Sequence, residues 1–155
     1  MASISVIIPL YNGAKSIAQT LDAALQQSRP ASEILVIDDG STDSGPALVQ
    51  RYSSVRLLRN PEKGANNARV FGIESSQSPY LALLDQDDLW ASTHLEKLGG
   101  ILDEHSQCPA AVGGHTTFAL GSEPDWPGRP VGVECFDPGF DNNPVRTLWT
   151  QDGVD

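Results

Sequence analysis

Short β-branched and aliphatic runs alternate along this chain with segments whose apolar positions recur at helical spacing. Ile4-Ser5-Val6-Ile7-Ile8, stopped by Pro9, reads as a buried strand. Over 14–27, Ile17, Leu21, Ala24 and Leu25 fall at helix-face spacing. Glu33-Ile34-Leu35-Val36-Ile37 is a second buried strand, closed by Asp38-Asp39-Gly40, after which Thr42 or Asp43 can cap a helix running to about residue 52. The pattern then predicts a strand at 55–59 broken by Asn60-Pro61, a helix at 65–75 and a strand at 80–84. Thr93 with Glu96 three residues on has capping-box spacing and opens a helix through 105, and 110–113 is a weakly marked fifth strand.

Five strand–helix alternations predict an α/β fold, a mostly parallel sheet with helices on both faces. Polar, Gly-containing or acidic strings follow three of the strands: Tyr11-Asn12-Gly13, Asp38-Asp39-Gly40 and Asp85-Gln86-Asp87-Asp88. Open α/β sheets bind ligands beyond the carboxyl ends of their strands, so these loops are expected to line one crevice.

The pattern fades near Phe118. Residues 119–155 hold five of the eleven prolines, seven acids against two arginines, and no periodic segment. The expected division is therefore 1–118 as the ligand-binding part and 119–155 as an irregular, acidic, Pro-rich segment. So long a structureless end suggests a chain cut from something longer.

Composition narrows the class. The chain of 155 residues carries 10 Lys+Arg against 20 Asp+Glu, a formal charge of −10. An acidic surface argues against general nucleic-acid binding, which needs a basic footprint. No apolar run approaches the length of a membrane span, and Met1-Ala2-Ser3 enters the first strand without a basic n-region. Cys108 and Cys135 are too few and too isolated for a disulfide framework or a zinc site. The expectation is a cytoplasmic, reduced domain.

Leu84-Asp85-Gln86-Asp87-Asp88 is the strongest chemical string. Three carboxylates in four residues repel one another unless a cation or hydrogen-bond donors neutralise them. Hard oxygen ligands suit Mg²⁺ or Mn²⁺, above all where a diphosphate completes the shell. A solvated acidic turn with an Asp helix cap accounts for the same string. An EF-hand does not, because Leu89 and Trp90 occupy positions that need a ligand and a glycine. Asp38 and Asp39 at a strand end can accept from a base N–H or a ribose hydroxyl, although Gly40, Thr42 and Asp43 also serve a plain turn and cap. Arg69, one turn into its helix after Gly64, can reach a phosphate or a base edge, or sit as a surface cation. No GxGxxG, P-loop or nucleophile elbow is present. His94, His105 and His115 lack metal-ligand spacing, and Trp90 reads as a packing anchor rather than a sugar-stacking platform.

Four strings, taken in order, resemble the N-terminal half of a family 2 glycosyltransferase of GT-A fold. They are Val6-Ile7-Ile8-Pro9-Leu10-Tyr11-Asn12, Val36-Ile37-Asp38-Asp39-Gly40-Ser41-Thr42-Asp43, the stretch 60–69 with Gly72, and Leu83-Leu84-Asp85-Gln86-Asp87-Asp88-Leu89-Trp90. The resemblance implies a Rossmann-like nucleotide-diphospho-sugar transferase fold, a nucleotide-diphospho-sugar donor, and Mn²⁺ or Mg²⁺. It implies that Pro9, Tyr11 and Asp39 cradle the base, with Asp38 supporting the loop and Arg69 near the base or diphosphate. Asp85 and Asp87 match the family's DxD, Asp85 facing ribose and diphosphate and Asp87 holding the metal. It further implies inversion at the anomeric centre, with a carboxylate base acting on the hydroxyl of a glycan or lipid-linked acceptor in surface polysaccharide or glycoconjugate synthesis.

The family's general base lies well downstream, and 119–155 show no clear copy; Asp152 in Thr150-Gln151-Asp152-Gly153 is the one late acid to name. The chain is thus expected to be a donor-binding fragment carrying the start of a truncated acceptor region, cytoplasmic and membrane-peripheral in its full-length form. A nucleotidyltransferase-like enzyme and a non-catalytic nucleotide-sugar-binding scaffold are the rival readings.

Overall fold

The computed structural model describes residues 1–105, 110–111, 132–135 and 146–149. Strands and helices alternate as β1 (Ile4–Leu10), α1 (Ile17–Leu25), β2 (Glu33–Asp38), α2 (Gly45–Val49), β3 (Val55–Arg59), α3 (Ala65–Ser75), β4 (Tyr80–Leu83) and α4 (His94–Glu104). β1 to β4 form one sheet in the order β3-β2-β1-β4, every pairing parallel. From β1 the chain moves outward to β2 and β3, then returns to the other side of β1 for β4. The order therefore reverses at β1, and the loop after β1 stands where open α/β sheets bind ligands.

Period-two alternation builds two cores from one sheet. Val6, Ile8, Leu10, Ile34 and Val36 face α1 and pack with Ile17, Leu21 and Ala24, while Ile7, Leu35 and Ile37 face α3 and pack with Ala68 and Phe71. All seven residues of β1 are buried, which explains their near-continuous apolar reading. α3 crosses close to the sheet at Gly72, where a Cβ would stand 2.5 Å from Ile7 Cγ2 and 3.2 Å from Ile37 Cγ1. Beside it, Val70 and Ile73 of α3 and Leu81 and Leu83 of β4 remain exposed.

Some boundaries differ from those the pattern predicts. α1 begins at Ile17, because the N–H groups of Ser16 and Ile17 both turn back onto the Gly13 carbonyl (3.1 and 3.0 Å). α2 is only Gly45–Val49, with Pro46 in its first turn. Ala110 and Ala111 belong to no strand, and the rest of that predicted fifth strand lies outside the described residues. Conversely, β5 (Gly132–Cys135) and β6 (Arg146–Trp149) pair antiparallel inside the stretch expected to be irregular. Each is four residues long, too short for alternation to stand out among prolines.

The chain divides into two compact units, residues 2–95 and a second from Glu96 onward. No helix among the described residues is long and apolar enough to cross a membrane.

Candidate functional site

Where β1 ends, its neighbours hold the chain in place. The Leu10 carbonyl accepts from Asp39 N–H at 2.8 Å, the last rung between β1 and β2. Asn12 then adopts φ 51°, a left-handed conformation that Asn tolerates better than most residues. Its side-chain Oδ1 accepts from Thr42 N–H (2.8 Å) and Thr42 Oγ1 (3.2 Å), and its own N–H donates to Ser41 Oγ (3.1 Å). Asp43 accepts from Ala14 N–H (2.8 Å) on one oxygen and from Gly45 N–H (2.9 Å) on the other. Thr42 and Asp43, expected as helix caps, thus divide their work: Asp43 meets the first N–H of α2, and both residues tie the first loop to the second.

Asp38 and Asp39 point to different tasks. Asp38 Oδ1 accepts from Ser41 N–H at 2.9 Å and holds the turn. Asp39 reaches the next loop, accepting from Asn60 Nδ2 (2.7 Å) and from Gly64 N–H on both oxygens (2.8 and 3.0 Å). That loop leads into α3, which carries Arg69 toward the acidic loop. Arg69 Nη2 donates to Asp85 Oδ1 in an ion pair, and Nη1 donates to Asn66 Oδ1 at 3.3 Å. Lys63 lies over the Tyr11 ring, 5.5 Å from its centroid.

The acidic loop and the turn after it are held from beneath by two polar side chains, Thr20 in α1 and Gln27 just past its end. Thr20 Oγ1 donates to the Gln86 carbonyl at 2.7 Å. One helical stretch on, Gln27 donates to the Ala91 carbonyl (2.8 Å) and accepts from Leu95 N–H (2.9 Å). Both side chains are buried, where their hydrogen-bonding groups must find partners. Trp90 packs against the core and stacks on His94, ring centroids 4.5 Å apart at 14°. Burial lowers the His94 pKa to about 4, so the imidazole is neutral.

These loops enclose a cleft of about 180 Å³ at the carboxyl ends of the strands, and Pro9, Tyr11, Asp39, Arg69, Asp85 and Asp87 line it. Asp38 holds its own turn and does not line the cleft, and neither does Asp88, the third carboxylate of the acidic string. Asp152 and His115 lie outside the described residues, as does Cys108. Gln86, whose side chain also lines the cleft, carried no role in the sequence reading. Nothing in a Gln between two acids announces a partner 75 residues away.

Three carboxylates against one guanidinium leave the cleft negative, a setting that attracts cations. No three His, Cys, Asp or Glu side chains among the described residues converge as a ready-made metal cage. Asp85 and Asp87 instead offer two hard oxygen ligands on one rim. This donor set fits Mg²⁺ or Mn²⁺, which use one or two carboxylates and complete their shell with phosphate oxygens and water.

The chain matches the family model "Glycosyl transferase family 2" over residues 5–145. TuaG of Bacillus subtilis (strain 168), whose name places it in teichuronic acid biosynthesis, is 33% identical over 126 residues, 78% of this chain and 50% of TuaG. WfaP of Escherichia coli, named as a UDP-Glc:alpha-D-GlcNAc-diphosphoundecaprenol beta-1,3-glucosyltransferase, is 34% identical over 61% of this chain and 39% of WfaP. Among solved structures, S. aureus TarS 1–349 in complex with UDP-GlcNAc matches 80% of this chain and 37% of that one, with a TM-score of 0.67 at 23% identity. The mannosyltransferase PcManGT of Pyrobaculum calidifontis, in complex with GDP-Man and Mn²⁺, matches 59% of this chain and 29% of that one, with a TM-score of 0.55 at 29% identity. The α/β fold is thus that of the GT-A enzymes. The chain spans half or less of the length of each of these relatives.

Proposed function

The chain belongs to glycosyl transferase family 2, and from that membership we propose that its cleft is the donor site of an inverting, metal-assisted glycosyltransferase. The observation that carries the reading is the convergence of Pro9, Tyr11, Asp39, Arg69, Asp85 and Asp87 on one cleft. The donor is a nucleotide-diphospho-sugar. Its base lies against Pro9 and Tyr11, where the lone pair left on Asp39 Oδ2 accepts a base N–H. Arg69 meets the base or the diphosphate, and Asp85 faces ribose and diphosphate. Asp85 and Asp87 together would hold Mn²⁺ or Mg²⁺. A cation held there would supply positive charge against that growing on the departing nucleoside diphosphate.

In the reaction an acceptor hydroxyl oxygen bonds to the anomeric carbon from the face opposite the diphosphate. The bond from that carbon to the diphosphate oxygen breaks, and the hydroxyl proton passes to a carboxylate base. The base belongs to the part of the protein beyond the described residues, where Asp152 is the acid named from sequence. Residues 1–118 form the donor part and 119–155 the start of the acceptor region. The acceptor is a glycan or a lipid-linked sugar of a surface polysaccharide, and the enzyme works in the cytoplasm or against the inner face of its membrane. TuaG and WfaP, by their names, support that acceptor class.

Thermal melts with UDP, GDP and dTDP, each with and without Mn²⁺, test the reading. A ligand at one hundred times its Kd stabilises the fold by about 2.7 kcal/mol. The expected result is a rise with one nucleotide that grows when Mn²⁺ is added. No rise with any of the three overturns the donor site.

A further inference from the structure

We propose that Gln86 is a positioning residue that holds the base side and the carboxylate side of the cleft at a set spacing. The inference rests on the donor site proposed above and adds to it a residue argued to act through Tyr11 and the two carboxylates beside it. The Gln86 side-chain amide makes two hydrogen bonds to one residue: Oε1 accepts from Tyr11 N–H at 2.8 Å, and Nε2 donates to the Tyr11 carbonyl at 3.1 Å. This is how a strand neighbour pairs with a peptide unit. β4 runs beside β1 only as far as Leu83 opposite Ile7, with one further bond from Leu84 N–H to the Ile7 carbonyl (3.1 Å). There the two chains part, and four residues beyond Ile7 the Gln86 amide resumes the pairing that the backbone has dropped.

The amide is itself fixed. Its main-chain carbonyl is held by Thr20 Oγ1 at 2.7 Å. Its side chain lies across Gly13, where a Cβ would meet Oε1 at 2.5 Å and Cδ at 2.7 Å. Any other residue at 13 would therefore push the amide off Tyr11. Because Asp85 and Asp87 flank Gln86 in sequence, one side chain links the backbone under the Tyr11 ring to the loop bearing both carboxylates. A ligand that touches both ends, such as a nucleoside diphosphate with its cation, gains from that fixed spacing. A ligand anchored at one end gains nothing from it.

The test is calorimetric titration of the purified chain with UDP and with GDP, each with and without Mn²⁺, for wild type, Gln86→Ala and Gln86→Met. Met fills the same space without either hydrogen bond, and it keeps the measurement interpretable if Ala loosens the loop. Both variants are expected to lower the gain in nucleotide affinity from Mn²⁺ about tenfold, the order set by losing two neutral hydrogen bonds. Affinity without Mn²⁺ should change less than about twofold, because the base end keeps its own contacts. Equal losses with and without metal mark a merely structural role and overturn the proposal, as does a Met variant that behaves as wild type. A wild type that binds neither nucleotide overturns the donor site itself and the positioning role with it. A wild type that binds with an unchanged Mn²⁺ gain in both variants overturns only the role of Gln86.

Discussion

Asp39 accepts the Gly64 N–H on both carboxylate oxygens, at 2.8 and 3.0 Å, and so ties the end of β2 to the loop that opens α3. One acid lines the cleft and at the same time fixes the loop from which Arg69 is launched. Replacing it with Ala strands the Gly64 N–H and leaves Asn60 Nδ2 only its longer bond to the Gly64 carbonyl (3.3 Å). Asp39→Ala is expected to cost about 2 kcal/mol of stability, read from urea unfolding, because charge-assisted bonds to a carboxylate are among the stronger ones. Nucleotide affinity should fall with it. An unchanged unfolding midpoint would show that the loop closes without this latch.

Asp87 separates binding from folding. Its carboxylate lines the cleft and has no hydrogen-bond or ion-pair partner among the described residues. Asp87→Ala should therefore leave the ligand-free melting temperature within about 1 °C of wild type or raise it slightly, since a like charge leaves the acidic loop. The Mn²⁺-dependent part of nucleotide stabilisation should disappear. Retention of that part would move the cation to other ligands.

Gly72 marks the closest approach of α3 to the sheet. The added methyl of Gly72→Ala would meet Ile7 Cγ2 at 2.5 Å, on a β-branched side chain of a fully buried strand that has no room to turn. Ala improves helix propensity by about 1 kcal/mol, and overpacking costs typically 1–3 kcal/mol. Net destabilisation is expected in thermal unfolding, with α3 and Arg69 shifted outward and nucleotide binding weakened. A net gain in stability would show that the helix yields freely.

His94 makes stability depend on mildly acidic pH. Burial lowers its pKa from the ordinary 6.5 to about 4. Above 6.5 both folded and unfolded chains hold a neutral imidazole. Below 6.5 the unfolded chain takes up a proton that the folded protein refuses until about pH 4, so stability falls across that window and then levels. Urea midpoints measured from pH 7 to 4 should show this slope in wild type. In His94→Phe, which keeps a ring against Trp90, the slope should be reduced.

Glu33 acts at lower pH and at the opposite end of the strands. Burial raises its pKa, but hydrogen bonds from Ser5 Oγ (2.6 Å), Gln77 N–H (2.7 Å) and Arg56 (3.0 Å) outweigh burial and hold it below the ordinary 4.5. A lowered carboxyl pKa adds stability that is present above 4.5 and lost as pH falls through the folded value. Glu33→Gln should flatten the acid limb of the stability curve below pH 4.5 while leaving the His94 slope above it. If the acid limb is unchanged, other carboxylates carry it.

The alternation of β-branched runs with helical spacings was enough to place β1 to β4 and α1 to α4 within a few residues, because burial acts on local periodicity and the chain carries that periodicity in order. The same logic located the polar strings after the strands; the grouping of Pro9 and Tyr11 with Asp39, Arg69, Asp85 and Asp87 came from the resemblance to the family, and the fold brings these six to one cleft. Periodicity failed where the signal was short, as in β5 and β6, whose four-residue runs lie among prolines. It also could not assign work within a string. Asp38 and Asp39 are neighbours of one type, yet one closes a turn and the other reaches Gly64, because successive side chains at a strand end point to opposite faces. Gln86 acquires its role only once the order β3-β2-β1-β4 sets the loop after β4 beside the loop after β1. Periodic burial is a property of a segment, whereas the bond between Tyr11 and Gln86 spans 75 residues and exists only after the sheet has brought its strands together.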